Sequence, residues 1–345
     1  MFLAKADLEV PDASLRALGS ASDSALGIDA ALLDAARGAF ALPPGARFER
    51  FSHQGTFHRL YVIHAGTGSP QLLRIAALGG EPWVELMALE AGVARLLRER
   101  SLPVPACEFR ALAHGAALRG AQRVDLVEGY PANAKNSDEG AMAAALEQAA
   151  RFLPALHRIQ GEGFGPLALQ GADGVSRPRG AWGTWLEFLQ QRLPEHVRAC
   201  VDIGAMTMEE ARRIEALLRD AGWNGVPSLL HGDPGGANFI FRDARLAAVI
   251  DWEDALLGDP LFDLASLCTF QPARRHAAIL RGYGLEPVAG SAESRRFWLY
   301  FLRIALAKTV HRHRFQYRDA PGRPAASGRI QLALAQLSSP AHSGS

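Results

Sequence analysis

His231-Gly232-Asp233-Pro234-Gly235-Gly236-Ala237-Asn238 decides the reading of this chain. Asn238 follows Asp233 by five residues. Thirteen residues further on, Asp251 ends the apolar run Leu246-Ala247-Ala248-Val249-Ile250. A carboxylate, an amide and a second carboxylate in that order match the needs of phosphoryl transfer. One carboxylate accepts the proton of an attacking hydroxyl; the amide and the other carboxylate hold Mg²⁺ against the phosphates of a nucleotide. A lone His-x-Asp is a weak sign, since a loop Asp often only caps a turn. Both spacings together, with a strand leading into the second Asp, are far more specific.

Upstream, Leu60-Tyr61-Val62-Ile63 and Gln71-Leu72-Leu73-Arg74-Ile75 read as a hairpin around the loose turn Ala65–Pro70. Leu86, Leu89, Val93, Leu96 and Leu97 recur at helical spacing and predict a helix from Glu85 to Arg100, stopped by Pro103-Val104-Pro105. Val124–Val127 reads as a short strand. Helices are expected over Ala141–Ile159, over Thr184–Arg198, and from the capping box Thr207-Met208-Glu209-Glu210 to about Gly222. Phe239–Phe241 and Leu246–Ile250 form a strand pair turned by Asp243-Ala244-Arg245. From Pro260 to about Phe315 the pattern is mostly helical. Ser338–Ser345 reads as a disordered tail.

Composition fits a folded soluble protein: of 345 residues, 48% are hydrophobic and 21% charged. No apolar run reaches the roughly 18 residues that span a bilayer, so no membrane partner is expected. Met1–Val10 carries Lys5, Asp7 and Glu9 and does not read as a secretory signal. Cys107, Cys200 and Cys268 form neither a disulfide framework nor a metal spacing; a reducing cytoplasm is the expected location. The net charge of +1 hides an asymmetry, because Gln271–Ser345 holds twelve basic residues against three acidic ones. No aromatic-interleaved basic motif accompanies them, so nucleic acid is not an expected partner.

The chain resembles the aminoglycoside phosphotransferase and choline kinase family over about residues 46–315. The resemblance rests on His231-Gly232-Asp233 with Asn238, on Val249-Ile250-Asp251-Trp252, and on Gly258-Asp259-Pro260 with Asp263-Leu264-Ala265. Leu156-His157 with Gly163-Phe164-Gly165, and Glu90 ahead of Leu102-Pro103-Val104-Pro105, agree with it. It implies an α+β, two-lobed protein-kinase-like fold with a small β-rich N-terminal lobe and a larger helical C-terminal lobe. The expected units are a helical extension at 1–45, a nucleotide-binding lobe at 46–127, a catalytic and substrate lobe at 128–320, and a segment at 321–345.

The same resemblance implies roles. Asp233 is the expected base, and Asn238 and Asp251 the expected Mg²⁺ ligands; Mg²⁺ takes few protein oxygens and keeps water and phosphate. His231 and Asp263 read as structural supports of the loop. Arg74 with Glu90 is the expected pair that places the phosphates, with Glu85 competing for the partner role. The family's usual lysine is an arginine here, which is not an equivalent swap. Gly55 and Thr56 in Ser52–Phe57 stand where a loop would cover the phosphates, and Val127 lies beside the nucleotide. No G-x-x-x-x-G-K-[ST] occurs. The expectation is an ATP-dependent, Mg²⁺-assisted transfer to a hydroxyl of a small molecule, with GTP left open. The alternative is a catalytically silent binding protein on the same fold.

Overall fold

Residues alternate between two faces along a strand, and this alternation builds the first sheet. Strand β2 (His58–His64) pairs antiparallel with β3 (Gln71–Ala76), and Leu60 stands opposite Arg74. Tyr61, Ile63, Leu73 and Ile75 are buried on one face, and Arg74 projects from the other. With β1 (Arg47–Arg50), β4 (Cys107–His114) and β5 (Ala117–Asp125) they form a five-stranded antiparallel sheet in the order β1-β2-β3-β5-β4. The structure, a computed structural model, describes residues 18, 22–66, 68–114, 117–134, 138–167, 178–286, 290–317 and 325–338. The strand expected at Val124–Val127 ends at Asp125; Leu126 leaves it with its N–H on the Pro70 carbonyl.

Two helices cover the sheet. Helix α1 (Ala30–Ala39) starts at Asp29, whose carboxylate accepts the Leu32 N–H at 2.9 Å. Its buried Leu32 and Ala36 join Phe57, Leu73, Trp83 and Met87 in one core. Helix α2 (Glu81–Glu99) begins four residues earlier than its apolar spacing suggests, with Pro82 in the first turn, where a missing N–H costs nothing. The α2 helix serves two cores. Trp83 and Met87 pack under the sheet, while Leu89, Val93, Leu96 and Leu97 pack into the larger helical core.

That second core is built from α3 (Glu139–His157), α4 (Trp185–Gln190), α5 (Leu193–Asp202), α6 (Met208–Arg219), α7 (Leu261–Thr269), α8 (Ala273–Tyr283), α9 (Ala292–Arg314) and α10 (Ala326–Ser338). The single helix expected over Thr184–Arg198 is two helices. Arg192 takes a left-handed φ of 51° and Pro194 opens the next helix, so the chain breaks at Gln191-Arg192. The Thr207–Glu210 capping box is present. Ser338, where a disordered tail was expected to begin, ends α10; 339–345 lie outside the described residues.

Two small sheets set the site. One has the order β11-β10-β6, from Arg245–Val249, Phe239–Arg242 and Tyr130–Pro131. The other has the order β8-β7-β12-β9, from Gly180–Trp182, Phe164–Leu167, Leu256–Gly258 and Ser228–Leu230. Asp243 and Ala244 turn the β10–β11 hairpin with φ of 50° and 58°, as a tight two-residue turn demands. The antiparallel N-terminal sheet and the helical C-terminal region make a mixed α+β architecture.

Candidate active site

Strand β9 delivers the chain into His231-Gly232-Asp233. Gly232 has φ 81°, and a Cβ there would come within 1.9 Å of the Asp254 carbonyl oxygen, so only glycine fits. The turn is held by Asp263 from α7. Its buried carboxylate accepts the His231 N–H at 2.8 Å and the Gly232 N–H at 3.0 Å. His157 of α3 reaches the same carboxylate at 3.2 Å. His231 lies fully buried, with its ring 4.4 Å from that of Trp252 and Nε2 3.0 Å from the Ile250 carbonyl. Both side chains support the loop from beneath, and Asp233 is left facing a cleft.

Asn238 ends the following short turn. Its amide nitrogen donates to the Asp233 carbonyl at 2.9 Å, which leaves the amide oxygen directed elsewhere, and its carbonyl accepts the Ile250 N–H at 2.9 Å. Asp251 adopts a left-handed φ of 68° immediately after β11. Such a conformation is uncommon for any residue but glycine and is enriched in Asp and Asn. Two hard oxygen donors, one just before β10 and one just after β11, therefore border the cleft, a set that suits Mg²⁺ with its remaining positions left to phosphate and water.

Across the cleft, Arg74 Nη1 lies 2.6 Å from Glu90 Oε1, and Nη2 lies 3.6 Å from Asp251 Oδ1. Glu85 is exposed on the other side of α2, so Glu90 is the partner. Glu90 also accepts from Gln122 Nε2 at 3.0 Å and from the Trp252 N–H at 3.3 Å, tying the sheet to the loop that carries Asp251. Burial works against the charge of Arg74. Glu90 and then Asp251 outweigh it and hold the guanidinium pKa above its ordinary value. Arg74 is therefore a permanent cation, 13% exposed, facing the Asp251 carboxylate.

The cleft has a volume of about 730 Å³. Gly55, Thr56, Arg74, Glu90, Val127, Asp233, Asn238 and Asp251 all line it. Leu60, Leu72, Ala94, Val104 and Ile240 supply an apolar wall near Val127. The Phe51–Phe57 loop is shaped by Gln54, which pairs with Leu60 in both directions, Nε2 to its carbonyl at 3.0 Å and Oε1 from its N–H at 2.9 Å. A Cβ on Gly55 would meet nothing closer than 3.5 Å, so packing does not require glycine there.

Sequence reasoning missed four contributors. His58 Nδ1 lies 3.4 Å from Arg74 Nη2 and its Nε2 3.5 Å from Glu253 Oε2, linking β2 to the loop that follows Asp251. Lys308 of α9 places Nζ 3.0 Å from Asp233 Oδ1. Tyr317, just past α9, contacts the Thr56 hydroxyl, and Phe315 packs edge-on against Phe57 at 5.3 Å. Lys308 did carry a signal: it interrupts the apolar run Ile304-Ala305-Leu306-Ala307, in a chain with only three lysines.

The profile of the phosphotransferase enzyme family (APH) matches residues 47–298. The chain belongs to that family. Hygromycin-B 4-O-kinase of Escherichia coli is 28% identical over 150 residues, which is 43% of this chain and 42% of that protein, so the match spans less than half of the relative. Solved structures of other proteins share the fold. Apo aminoglycoside phosphotransferase APH(4)-Ia, a thermostable mutant, superposes with a TM-score of 0.63 at 20% identity, covering 88% of this chain and 99% of that one. A fructosamine-3-kinase of Thermobifida fusca, described as putative, gives 0.58 at 23% identity, covering 91% and 100%. Among the described residues no helix is long and apolar enough to cross a membrane.

Proposed function

We propose that this member of the phosphotransferase family moves the γ-phosphate of ATP to a hydroxyl of a small molecule: an antibiotic, an amino sugar or a related metabolite. The observation that carries the reading is the convergence of Asp233, Asn238, Asp251 and the Arg74–Glu90 pair on one cleft. In this reading the adenine lies against the apolar wall near Val127. Arg74, fixed by Glu90, meets the phosphates, and backbone N–H groups around Gly55 and Thr56 cover them. Asn238 and Asp251 hold Mg²⁺, which when bound neutralises charge on the phosphate oxygens. Asp233 orients the acceptor hydroxyl and receives its proton as the oxygen attacks the γ-phosphorus in line and the bond to the ADP oxygen breaks. The relative named for hygromycin B supports a hydroxyl as acceptor. The units 46–127 and 128–320 are offered as the two lobes between which the nucleotide sits.

The test is an ADP-release screen with Mg²⁺·ATP over hygromycin B, other aminoglycosides, macrolides, amino sugars, choline and sugar alcohols. Turnover on any of them that disappears in Asp233→Asn supports the reading. Nucleotide binding with no acceptor-dependent ADP release across all classes would return the silent binding protein.

A further inference from the structure

The family match begins at residue 47, and the chain ahead of it is built onto the back of the first sheet. The Asp23 carbonyl accepts the N–H groups of Leu26 and Ile28, both at 3.0 Å, and Arg119 of β5 donates to the Leu26 carbonyl. Leu26 and Ile28 are buried with Leu73 and Ile75, so the turn that carries Asp23 is fixed on the sheet. The Asp23 carboxylate accepts the Tyr61 hydroxyl at 2.7 Å and Arg50 Nε at 3.1 Å, and lies 3.6 Å from Arg59 Nε. Arg59 is 3% exposed. Its Nη1 donates to the Gly55 carbonyl at 3.1 Å and to the His58 carbonyl at 3.3 Å, and its Nη2 to the Leu18 carbonyl at 3.2 Å. Burial lowers the Arg59 pKa, and Asp23 is the strongest charge acting against that.

Side chains alternate along β2. His58 and Leu60 line the cleft, whereas Arg59 and Tyr61 project from the opposite, buried face. Arg59 therefore draws the Gly55 carbonyl toward the back of the sheet. That carbonyl and the Thr56 N–H belong to one planar trans peptide and point in opposite directions. Holding the carbonyl away from the cleft turns the N–H into it, and Gly55 and Thr56 both line the cleft. Glycine by itself favours neither orientation of such a peptide, so a hold from outside the loop selects one. We infer that Asp23 is a positioning residue of the nucleotide site: through Arg59 it keeps the Thr56 N–H directed into the cleft as a donor to a nucleotide phosphate. The inference rests on the phosphate placement proposed above. It gives the turn at residues 23–28, which lies ahead of the family match, a part in binding the nucleotide as well as in covering the sheet.

The experiment measures, on the full chain, the dissociation constant of Mg²⁺·AMP-PNP, a non-hydrolysable ATP analogue, by calorimetry, and that of adenosine by its displacement of the analogue. It is run on the wild type, Asp23→Ala, Asp23→Asn and Asp29→Ala. Asp23→Ala is expected to weaken Mg²⁺·AMP-PNP by about tenfold, the worth of one hydrogen bond to a charged group, and to leave adenosine within about twofold of the wild type. Asp23→Asn removes the charge and should act in the same direction; it carries the test if the alanine variant fails to fold. Asp29→Ala removes the carboxylate that accepts the Leu32 N–H, loosening α1 in the same segment, and should move neither constant. Unchanged Mg²⁺·AMP-PNP binding in the Asp23 variants overturns the inference. Equal weakening of both ligands, or the same phosphate-selective loss in Asp29→Ala, overturns it too, because either marks a general loosening of the sheet. If the wild type binds Mg²⁺·AMP-PNP in those cases, the phosphotransferase reading stands. If the wild type binds none, both fall.

Discussion

Residues 231–263 supply the floor of the cleft from one contiguous stretch, whereas its roof is gathered from the β1–β2 loop, β3, α2 and the end of α9. The floor is shaped by backbone: Asp263 gathers two N–H groups, Gly232 takes a positive φ, and Asn238 is bonded to both neighbouring segments. The roof is shaped by side chains that meet across elements, with Arg74 on Glu90, His58 between Arg74 and Glu253, and Phe57 against Phe315. A backbone-built site keeps its form when an exposed side chain is changed. A site built by side chains loses geometry with each one removed.

Substitutions on the two sides should therefore fail differently. Asp233→Asn is expected to lower kcat by about 10²- to 10⁴-fold, the range for a positioned proton acceptor, while leaving Mg²⁺·nucleotide affinity nearly unchanged. Asp251→Ala should instead abolish that affinity. Wild-type turnover by Asp233→Asn in a coupled ADP assay would remove the base from the floor. On the roof, Arg74→Met strands Glu90, which is 3% exposed. Removing one partner of a buried ion pair costs about 3–5 kcal/mol, so urea unfolding should show a loss near the lower figure, because Gln122 and the Trp252 N–H remain. The nucleotide KM should rise in parallel, and a normal KM would detach the pair from phosphate binding.

Asp263→Asn tests the scaffold of the floor. It sets an amide against backbone donors and should cost about 1–3 kcal/mol for the unsatisfied group, with kcat falling more than the nucleotide KM changes. Gly55→Ala is expected to change the nucleotide KM by less than about threefold, since the added methyl makes only ordinary contacts. A larger effect would show that the roof loop depends on glycine after all. The smallest response concerns the thiols. Burial pushes Cys200 up to about 12 and raises Cys107 and Cys268 further. The thiolate is the reactive form, so iodoacetamide at pH 8 should label the buried Cys200 and Cys268 only after unfolding.

The floor was legible because its signals sit close together and act on the local backbone. The roof was less so. Glu90 could be separated from Glu85 by helical phase, since it shares a face with Val93, Ala94 and Leu97, all buried. The roles of His58 and Lys308 could not be assigned, because their partners lie far away in sequence; the apolar run that Lys308 interrupts marks its position but not its partner. Strands β1 and β4 were not among the expected elements, although Phe48 and Phe109 alternate with charged neighbours as strand residues do. The break at Arg192 was missed although Pro194 announced it; the apolar run on both sides read as one helix. The family match accounts for the architecture, and the roles of the site residues stand as expectations for these experiments.

Helix α9 touches three parts of this machinery along one rod of roughly 34 Å. Arg296 and Tyr300 hold Asp259 near its start, Lys308 meets Asp233, and Phe315 and Tyr317 reach the Phe51–Phe57 loop. Loops absorb insertions and deletions, but a helix converts each into rotation. Loss of one residue between Thr309 and Arg314 would swing Phe315 by about 100° away from Phe57 while leaving Lys308 in register. An insertion or deletion in this segment should therefore cost more than most substitutions. Its length matters to the cleft, though only Lys308 and His311 of the helix line it.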